Sequence, residues 1–158
     1  MVMDAPPIIS VNKLTKYYGS KLGVQNISFS VNQGEIFGFL GPNGAGKTTT
    51  IRLLLDLLRP SSGEIKIFGD GIDSHSLEIR KRCGYLPGNF IAYNNLTEAD
   101  FLRLVASMRK AEPKIQESLI NRFQLSQNAL SQKIKLLSHG LPLKLGIFQA
   151  FFHHPQLF

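Results

Sequence analysis

The stretch from Gly41 to Thr48, "GPNGAGKT", constrains the possible folds of this chain more than any other part of its sequence. It matches G-x-x-x-x-G-K-[ST], a pattern in which a glycine-rich loop joins a buried strand to the start of a helix. Both flanks fit, since an apolar run ends at Leu40 and a helical pattern follows the loop. The sequence therefore predicts an α/β fold of the P-loop NTPase class.

The residue types in this loop suit the binding of a polyphosphate. Its glycines permit backbone angles that turn successive N–H groups toward an anion. Lys47 can reach the outer phosphates, the Thr48 hydroxyl is placed to bind Mg²⁺, and the helix N-terminus adds partial positive charge. The predicted binding residues are Gly41, Pro42, Asn43, Gly44, Ala45, Gly46, Lys47, Thr48 and Thr49.

The loop alone does not choose between an ATPase, a GTPase and a small-molecule kinase. Guanine specificity normally requires a distal N-K-x-D element. The stretch "NKLT" at Asn12–Thr15 lacks the aspartate and precedes the loop. A GTPase is therefore the less favoured of these classes.

Composition excludes several other classes of protein. With 43% hydrophobic and 18% charged residues among 158, the chain is typical of a globular protein and not of a disordered one. Its apolar runs are too short to cross a bilayer, and the lone Cys83 cannot form an internal disulfide, which favours a cytosolic location. The net charge of +7 has no clustered basic face, so Arg80–Arg82 is interpreted as a solvated helix face and no nucleic-acid partner is expected.

The pattern of apolar residues predicts a β-rich portion followed by a helical portion. Thr97 with Asp100 three residues later is typical of a capping box at a helix start. Strands are predicted at Ile8–Leu14, Asn26–Val31, Glu35–Leu40, Glu64–Phe68 and Cys83–Leu86, with a turn at Asn32–Gly34 and a further strand opening at Leu157 and Phe158. Helices are predicted at Thr48–Leu58, from Thr97 to about Met108, from Pro113 to about Phe123, and at Leu141–His153.

Beyond the loop, the sequence resembles the nucleotide-binding domain of ABC transporters from about Ile8 to Phe158. The stretch "LTKYYGSKLGVQNISFSVNQGEIFGFLGPNGAGKTTTIRLLLDLLRPSSGEI" carries most of the resemblance and is far more specific than the loop alone. In that family an aromatic residue just before the glycine of such a "KYYG" stretch stacks on adenine, which implies Tyr18, with Tyr17 as the alternative. Without the resemblance, Tyr18 is more simply an aromatic at a strand end in the core.

Two later segments keep the family's pattern only in part. "CGYLPGNFIAYNNLT" stands at the position of the family's Q-loop, where Gly88 replaces the usual metal-contacting glutamine. The "YLPG" variant resembles drug- and polymer-export branches of the family. Taken by itself, Pro87-Gly88 fits a simple turn.

"LLSHG" stands at the position of the family's signature, where the resemblance implies that Ser138 and Gly140 contact the nucleotide of the opposite subunit. His139 replaces a glycine and Leu141 a glutamine there, and Ser138 by itself fits a helix N-cap.

The resemblance also implies a division of the chain and a missing part of the site. The expected regions are a β and P-loop portion at 1–86, a helical subdomain at 87–140, and the signature helix with a strand start at 141–158. In the family that last strand ends in an Asp-Glu pair that supports Mg²⁺ and polarises water. We expect the chain to be truncated before this pair, so that the core sheet is incomplete, no catalytic residue is assigned and hydrolysis is absent.

The function implied by the resemblance is that of an ATP-binding subunit of an ABC-type membrane transporter. ATP and Mg²⁺ are the expected cofactors. The expected partners are a transmembrane permease subunit and a second nucleotide-binding domain in a head-to-tail dimer, at the cytoplasmic face of the membrane. The alternative is a non-catalytic protein-interaction fragment that retains an inherited P-loop; affinity for nucleotide distinguishes the two.

Overall fold

The computed structural model describes residues 6–90, 95–108, 113–123, 133–134 and 140–158. The chain forms two compact units, Met1–Lys81 and Arg82–Phe158. The first contains an antiparallel sheet and the P-loop, and the second is mainly helical. Among the helices in the described ranges, none combines the length and the apolar character needed to cross a membrane.

The sheet of the first unit is built on a long hairpin. Strands β1 (Ile9–Tyr18) and β2 (Lys21–Val31) pair from Ile9 opposite Val31 to Tyr18 opposite Lys21. β3 (Ser62–Ile67) and β4 (Asp70–Gly71) complete the order β2-β1-β3-β4. Both hairpin strands are longer than predicted because backbone pairing continues toward the turn through residues 15–18 and 21–25, which are exposed or half-buried apart from Thr15 and Val24.

Two helices lie in residues 6–81, the described part of the first unit. α1 (Lys47–Leu54) follows the P-loop and buries Thr50 and Leu53, whereas α2 (Ile72–Lys81) buries Ile72 and Ile79. Apolar side chains from alternate positions of the strands form the rest of the buried core, as expected where only one face of a sheet is covered. These buried strand residues are Ile9, Val11, Leu14, Val24, Val31, Ile65 and Ile67.

α1 ends four residues before the predicted Leu58. Asp56 adopts a left-handed backbone angle, with φ of 52°. The Leu57 N–H donates to the Arg52 carbonyl at 2.8 Å and the Asp56 N–H donates to the Leu53 carbonyl at 3.1 Å. This is the Schellman arrangement, which satisfies the last carbonyls of a helix and stops it even where the apolar pattern continues.

The predicted strand Glu35–Leu40 is wrong, because this segment is not part of any ladder among the described residues. Ile36 and Leu40 are 100% and 93% exposed, whereas a central strand would bury them. Phe37 instead stacks on Phe29 of β2, with ring centroids 5.4 Å apart. An extended apolar segment becomes a strand only where another backbone pairs with it, which the apolar pattern cannot supply by itself. The turn before it is confirmed, with the Glu35 N–H donating to the Asn32 carbonyl at 3.2 Å.

The second unit contains three described helices, and their predicted positions are confirmed to within two residues. They are α3 (Glu98–Met108), α4 (Pro113–Arg122) and α5 (Gly140–Phe151). At the start of α3 the Asp100 N–H donates to Thr97 Oγ1 at 3.1 Å, as the capping pattern predicts. The Asp100 carboxylate accepts at 2.7 Å from the Thr97 hydroxyl, where a capping box has the backbone N–H as donor. The buried core residues of this unit are Phe101, Val105, Ile134, Leu145, Phe148 and Phe152.

The two short strands predicted in this unit reduce to one parallel bridge between Cys83 and Leu157. The Gly84 N–H donates to the Leu157 carbonyl, and the Gln156 N–H donates to the Arg82 carbonyl, both at 2.8 Å. Arg82 also donates from Nε and Nη2 to Gln156 Oε1, at 2.9 and 2.7 Å. The strand prediction is therefore right about where the backbones meet and wrong about the length of the pairing.

Candidate functional site

The P-loop adopts the backbone conformation that its glycines predict. Gly44 and Gly46 have φ of 86° and 87°, in the left-handed region where a side chain is strained. At Gly46 there is also no room, since an added Cβ would collide with Val24 Cγ1 and lie 2.9 Å from the Gly23 carbonyl oxygen. At Gly44 an added Cβ would meet nothing within 4 Å. The loop thus packs against β2 at Gly46 and is open at Gly44.

Lys47 lies across the loop that precedes it. Its ammonium donates to the Gly41 carbonyl at 2.6 Å and to the Pro42 carbonyl at 2.8 Å. An ammonium group has three N–H donors, so these two contacts leave one donor for a further acceptor. The loop therefore holds the cation in place without using all of its hydrogen-bonding capacity.

The start of α1 directs backbone donors into the same region. The Gly46 carbonyl accepts from the Thr50 N–H at 2.8 Å and from Thr50 Oγ1 at 3.1 Å, which fixes the first turn. The N–H groups of the first helical residues have no acceptor within the helix and carry its partial positive charge. Lys47, Thr48 and Thr49 are these residues, and all three line a cavity.

The cavity has a volume of about 490 Å³ and lies between the P-loop and the β1–β2 hairpin. Tyr18 lines it and Tyr17 does not, so the structure brings Tyr18 and the P-loop together. The Tyr18 hydroxyl lies 3.4 Å from Thr49 Oγ1, and its side chain is 44% exposed, so it is not a core aromatic. The lining residues are Tyr18, Lys21, Leu22, Gly23, Asn43, Gly44, Gly46, Lys47, Thr48 and Thr49.

Sequence reasoning missed Lys21, Leu22 and Gly23 as part of the cavity lining. The signal was available in the Gly19-Ser20 pair, because a short turn there would pair the residues on either side of it. In the structure Tyr18 does pair with Lys21 across that turn. Gly23 approaches the tyrosine closely, since an added Cβ would lie 2.9 Å from Tyr18 Cε2.

The charge of the lining suits an anion. Lys21 and Lys47 are both cationic, and this lining contains no aspartate or glutamate.

The described part of the chain holds no group of three His, Cys, Asp or Glu side chains that could bind a metal ion. Mg²⁺ commonly binds through few protein oxygens together with substrate phosphates, so the Thr48 hydroxyl in a lining without carboxylates fits Mg²⁺ only alongside a bound polyphosphate.

Three predicted residues of the P-loop, Gly41, Pro42 and Ala45, do not line this cavity, although the Gly41 and Pro42 carbonyls accept from Lys47. The predicted site residues after the P-loop lie in the second unit or outside the described ranges. Ser138 and His139 are outside them. Gly140 is the first residue of α5, and Leu141 follows it in that helix. Gly88 lies in a turn, where an added Cβ would meet nothing within 4 Å.

Comparisons with known proteins find chains that are similar over most of this sequence. The family described as ABC transporter matches residues 24–158 of the chain. The chain is 39% identical over 153 residues to the bacitracin transport ATP-binding protein BcrA of Bacillus licheniformis, which covers 95% of this chain and 49% of that protein. It is 34% identical to the Nod factor export ATP-binding protein I of Ralstonia nicotianae, over 98% of this chain and 49% of that protein.

A solved structure shows the same fold. The structure of an ATP-binding subunit of an ABC transporter matches with a TM-score of 0.80 at 30% identity. The match covers 94% of this chain and 63% of that one. The chain spans about half the length of the curated relatives described above.

Proposed function

The chain belongs to the ABC transporter family, and from this premise we propose that the cavity between Tyr18 and the P-loop binds Mg-ATP. The P-loop NTPase fold and the ATP-binding character of its relatives are the context for this proposal. The observation that carries it is the arrangement of one cavity with an exposed aromatic ring at one side and a glycine cradle with its lysine at the other.

In this proposal the P-loop end of the cavity binds the phosphates, and the Tyr18 end binds the adenine. The phosphates bind the N–H groups at the start of α1, and the remaining donor of Lys47 forms a charge-assisted hydrogen bond to a phosphate oxygen. The Thr48 hydroxyl would hold Mg²⁺ together with the bound phosphates, and the ion would offset their negative charge. Tyr18 stacks on the adenine, since its ring lines the cavity and is exposed.

We further propose that the 158 residues by themselves bind ATP without turning it over. Hydrolysis requires an oriented water and a fully held metal as well as a phosphate cradle. The cavity lining supplies the cradle and the hydroxyl groups of Tyr18, Thr48 and Thr49, but no carboxylate. Steady phosphate release that disappears in Lys47→Ala, from protein free of contaminating ATPases, would contradict this.

The transporter context is also part of the proposal. Relatives named for bacitracin transport and Nod factor export support an exporter, in which the chain works at the cytoplasmic face of the membrane with a permease subunit. A second nucleotide-binding domain would complete the site, with Ser138 and Gly140 facing the nucleotide of the opposite subunit. This role of the signature residues rests on the family resemblance.

The binding proposal is tested by titrating the chain with Mg-ATP in a calorimeter. Lys47→Ala should weaken binding by about 10- to 100-fold, the usual effect of losing a hydrogen bond to a charged group. Lys66→Ala is the matched control, because Lys66 is an exposed lysine of β3 that pairs with Glu64 and does not line the cavity. Equal affinities of the parent chain and Lys47→Ala would exclude this site. Absence of binding by the parent would favour the protein-interaction alternative.

A further inference from the structure

Lys16 makes two contacts that connect the edge of the cavity to the loop after α1. Its ammonium lies 5.5 Å from the centroid of the Tyr18 ring, within the range of a cation–π interaction. The same ammonium donates to the Arg59 carbonyl at 2.6 Å. A lysine that contacts a ring and a fixed carbonyl at once restricts where that ring can lie.

The Arg59 carbonyl, which accepts from Lys16, belongs to the loop after α1, and this loop is hydrogen-bonded to β1. On either side of Lys16 in β1, the Thr15 carbonyl accepts from the Ser61 N–H, and the Tyr17 N–H donates to Ser61 Oγ, both at 2.9 Å. Arg59 Nη1 lies 3.3 Å from Asp56 Oδ1 within the loop. These contacts restrain the position of the Arg59 carbonyl, and the hydrogen bond to it restrains the Lys16 ammonium.

The Tyr18 ring is shared between the cavity and Lys16. Tyr18 lines the cavity, whereas Lys16 contacts the ring without being part of the lining. The Tyr18 hydroxyl also lies 3.4 Å from Thr49 Oγ1, and Gly23 approaches the ring closely, since an added Cβ there would lie 2.9 Å from Tyr18 Cε2. Tyr18 is nevertheless 44% exposed, so part of the ring is available to a ligand in the cavity.

Building on the nucleotide-binding function proposed above, we infer that Lys16 is a positioning residue for base recognition. It holds the Tyr18 ring in the orientation that stacks on the adenine, although it does not contact the nucleotide itself. A ring already ordered before binding loses less conformational freedom when the base stacks on it, which strengthens binding.

The test compares a ligand that has a base with one that has none. Lys16→Met keeps the aliphatic stem and removes the charge, and it should weaken Mg-ATP binding by about two- to fivefold, the size of an exposed cation–π contact. It should leave the binding of Mg-tripolyphosphate unchanged, because that ligand contacts only the P-loop end. Lys16→Arg keeps a cation that can both contact the ring and donate to a carbonyl, and it should restore ATP affinity.

Two further variants make the result specific. In a Tyr18→Leu background, Lys16→Met should cause no additional loss of ATP affinity, since the ring that it positions is gone. Lys66→Met, which removes the same charge from β3 outside the cavity, should bind both ligands like the parent chain.

The outcomes separate this inference from the function on which it rests. An equal loss for both ligands would show that Lys16 supports the fold of the loops and would overturn the inference. Unchanged ATP binding in Lys16→Met, or an undiminished loss in the Tyr18→Leu background, would also overturn it while leaving nucleotide binding intact. Failure of the parent chain to bind either ligand would overturn the proposed function itself and the inference with it.

Discussion

The two units of this chain place a charged side chain in opposite environments. In the first unit, Lys47 lies at an open cavity and donates to two carbonyls at 2.6 and 2.8 Å. In the second, the Glu98 carboxylate is completely buried at the start of α3, and neither oxygen has a hydrogen-bond partner among the described residues. A partnered charge at an open site can serve a ligand at little cost, whereas a buried charge without partners lowers stability.

The largest effect is expected from a substitution in the buried core of the second unit. Phe148 is fully buried beside Phe152, with ring centroids 5.3 Å apart. Phe148→Ala should lower the free energy of unfolding of this unit by about 3–5 kcal/mol, measured by urea denaturation. Leu143→Ala on the same helix is the control, because Leu143 is 53% exposed and should matter little. Similar losses for both would contradict the assigned core.

The next effect concerns the backbone of the P-loop. Gly46→Ala combines a left-handed φ with a collision against Val24, and should cost about 3 kcal/mol of stability and remove ATP binding. Gly44→Ala has nearly the same φ but free space, so it should cost only about 1 kcal/mol. Urea denaturation of both variants measures the difference. If the two variants were equally stable, the close packing of the loop on β2 would be refuted.

A smaller effect separates the two adjacent tyrosines. Tyr18→Leu should cost about 1–3 kcal/mol of Mg-ATP binding, the usual value of an aromatic–base stack. Tyr17→Leu should cost little, because Tyr17 does not line the cavity although it is 41% exposed. Calorimetric titration of both variants decides between them, and the reverse order would assign the adenine contact to Tyr17.

The smallest expected effect is the pH dependence of Glu98. Burial raises the pKa of Glu98 above its ordinary value of 4.5, and the nearby positive charge of Lys144 opposes this only in part. The folded chain therefore holds this proton more tightly than the unfolded chain. The free energy of unfolding should fall as pH rises from about 4.5 to the raised pKa, and level off above it.

Replacing this carboxylate should remove that part of the pH dependence. At pH 8, Glu98→Leu should be more stable than the parent by about 1 kcal/mol, and the gap should narrow near pH 4 where the parent is protonated. Urea denaturation at the two pH values gives the comparison. Glu117→Leu, which removes an exposed carboxylate of α4, should keep the slope of the parent. A gap that is the same at both pH values would show that Glu98 is not the titrating group.

Features decided by local chemistry could be predicted from the sequence. The P-loop conformation follows from glycines at fixed spacing, and the start of α3 follows from Thr97 and Asp100. Both depend on residues a few positions apart, whose contacts any chain with that sequence can make.

Features decided by distant contacts could not be predicted in this way. The segment Glu35–Leu40 has the apolar character of a strand, but pairing depends on another backbone that its own pattern does not specify. The contact of Lys16 with Tyr18 also depends on a carbonyl 43 residues away. Likewise, the burial of Glu98 has no sign in its local sequence, since a glutamate in the first turn of a helix is ordinarily exposed.

Binding of Mg-ATP phosphates by the P-loop backbone can be measured by following the amide resonances of the chain by NMR during a titration. At saturation, the chemical-shift changes should be largest for the amides of Gly44, Gly46, Lys47 and Thr48, which line the cavity. Tripolyphosphate should shift the same amides without affecting Tyr18. If Mg-ATP left these four amides unchanged at saturation, or shifted only residues outside the cavity, the claim would be contradicted.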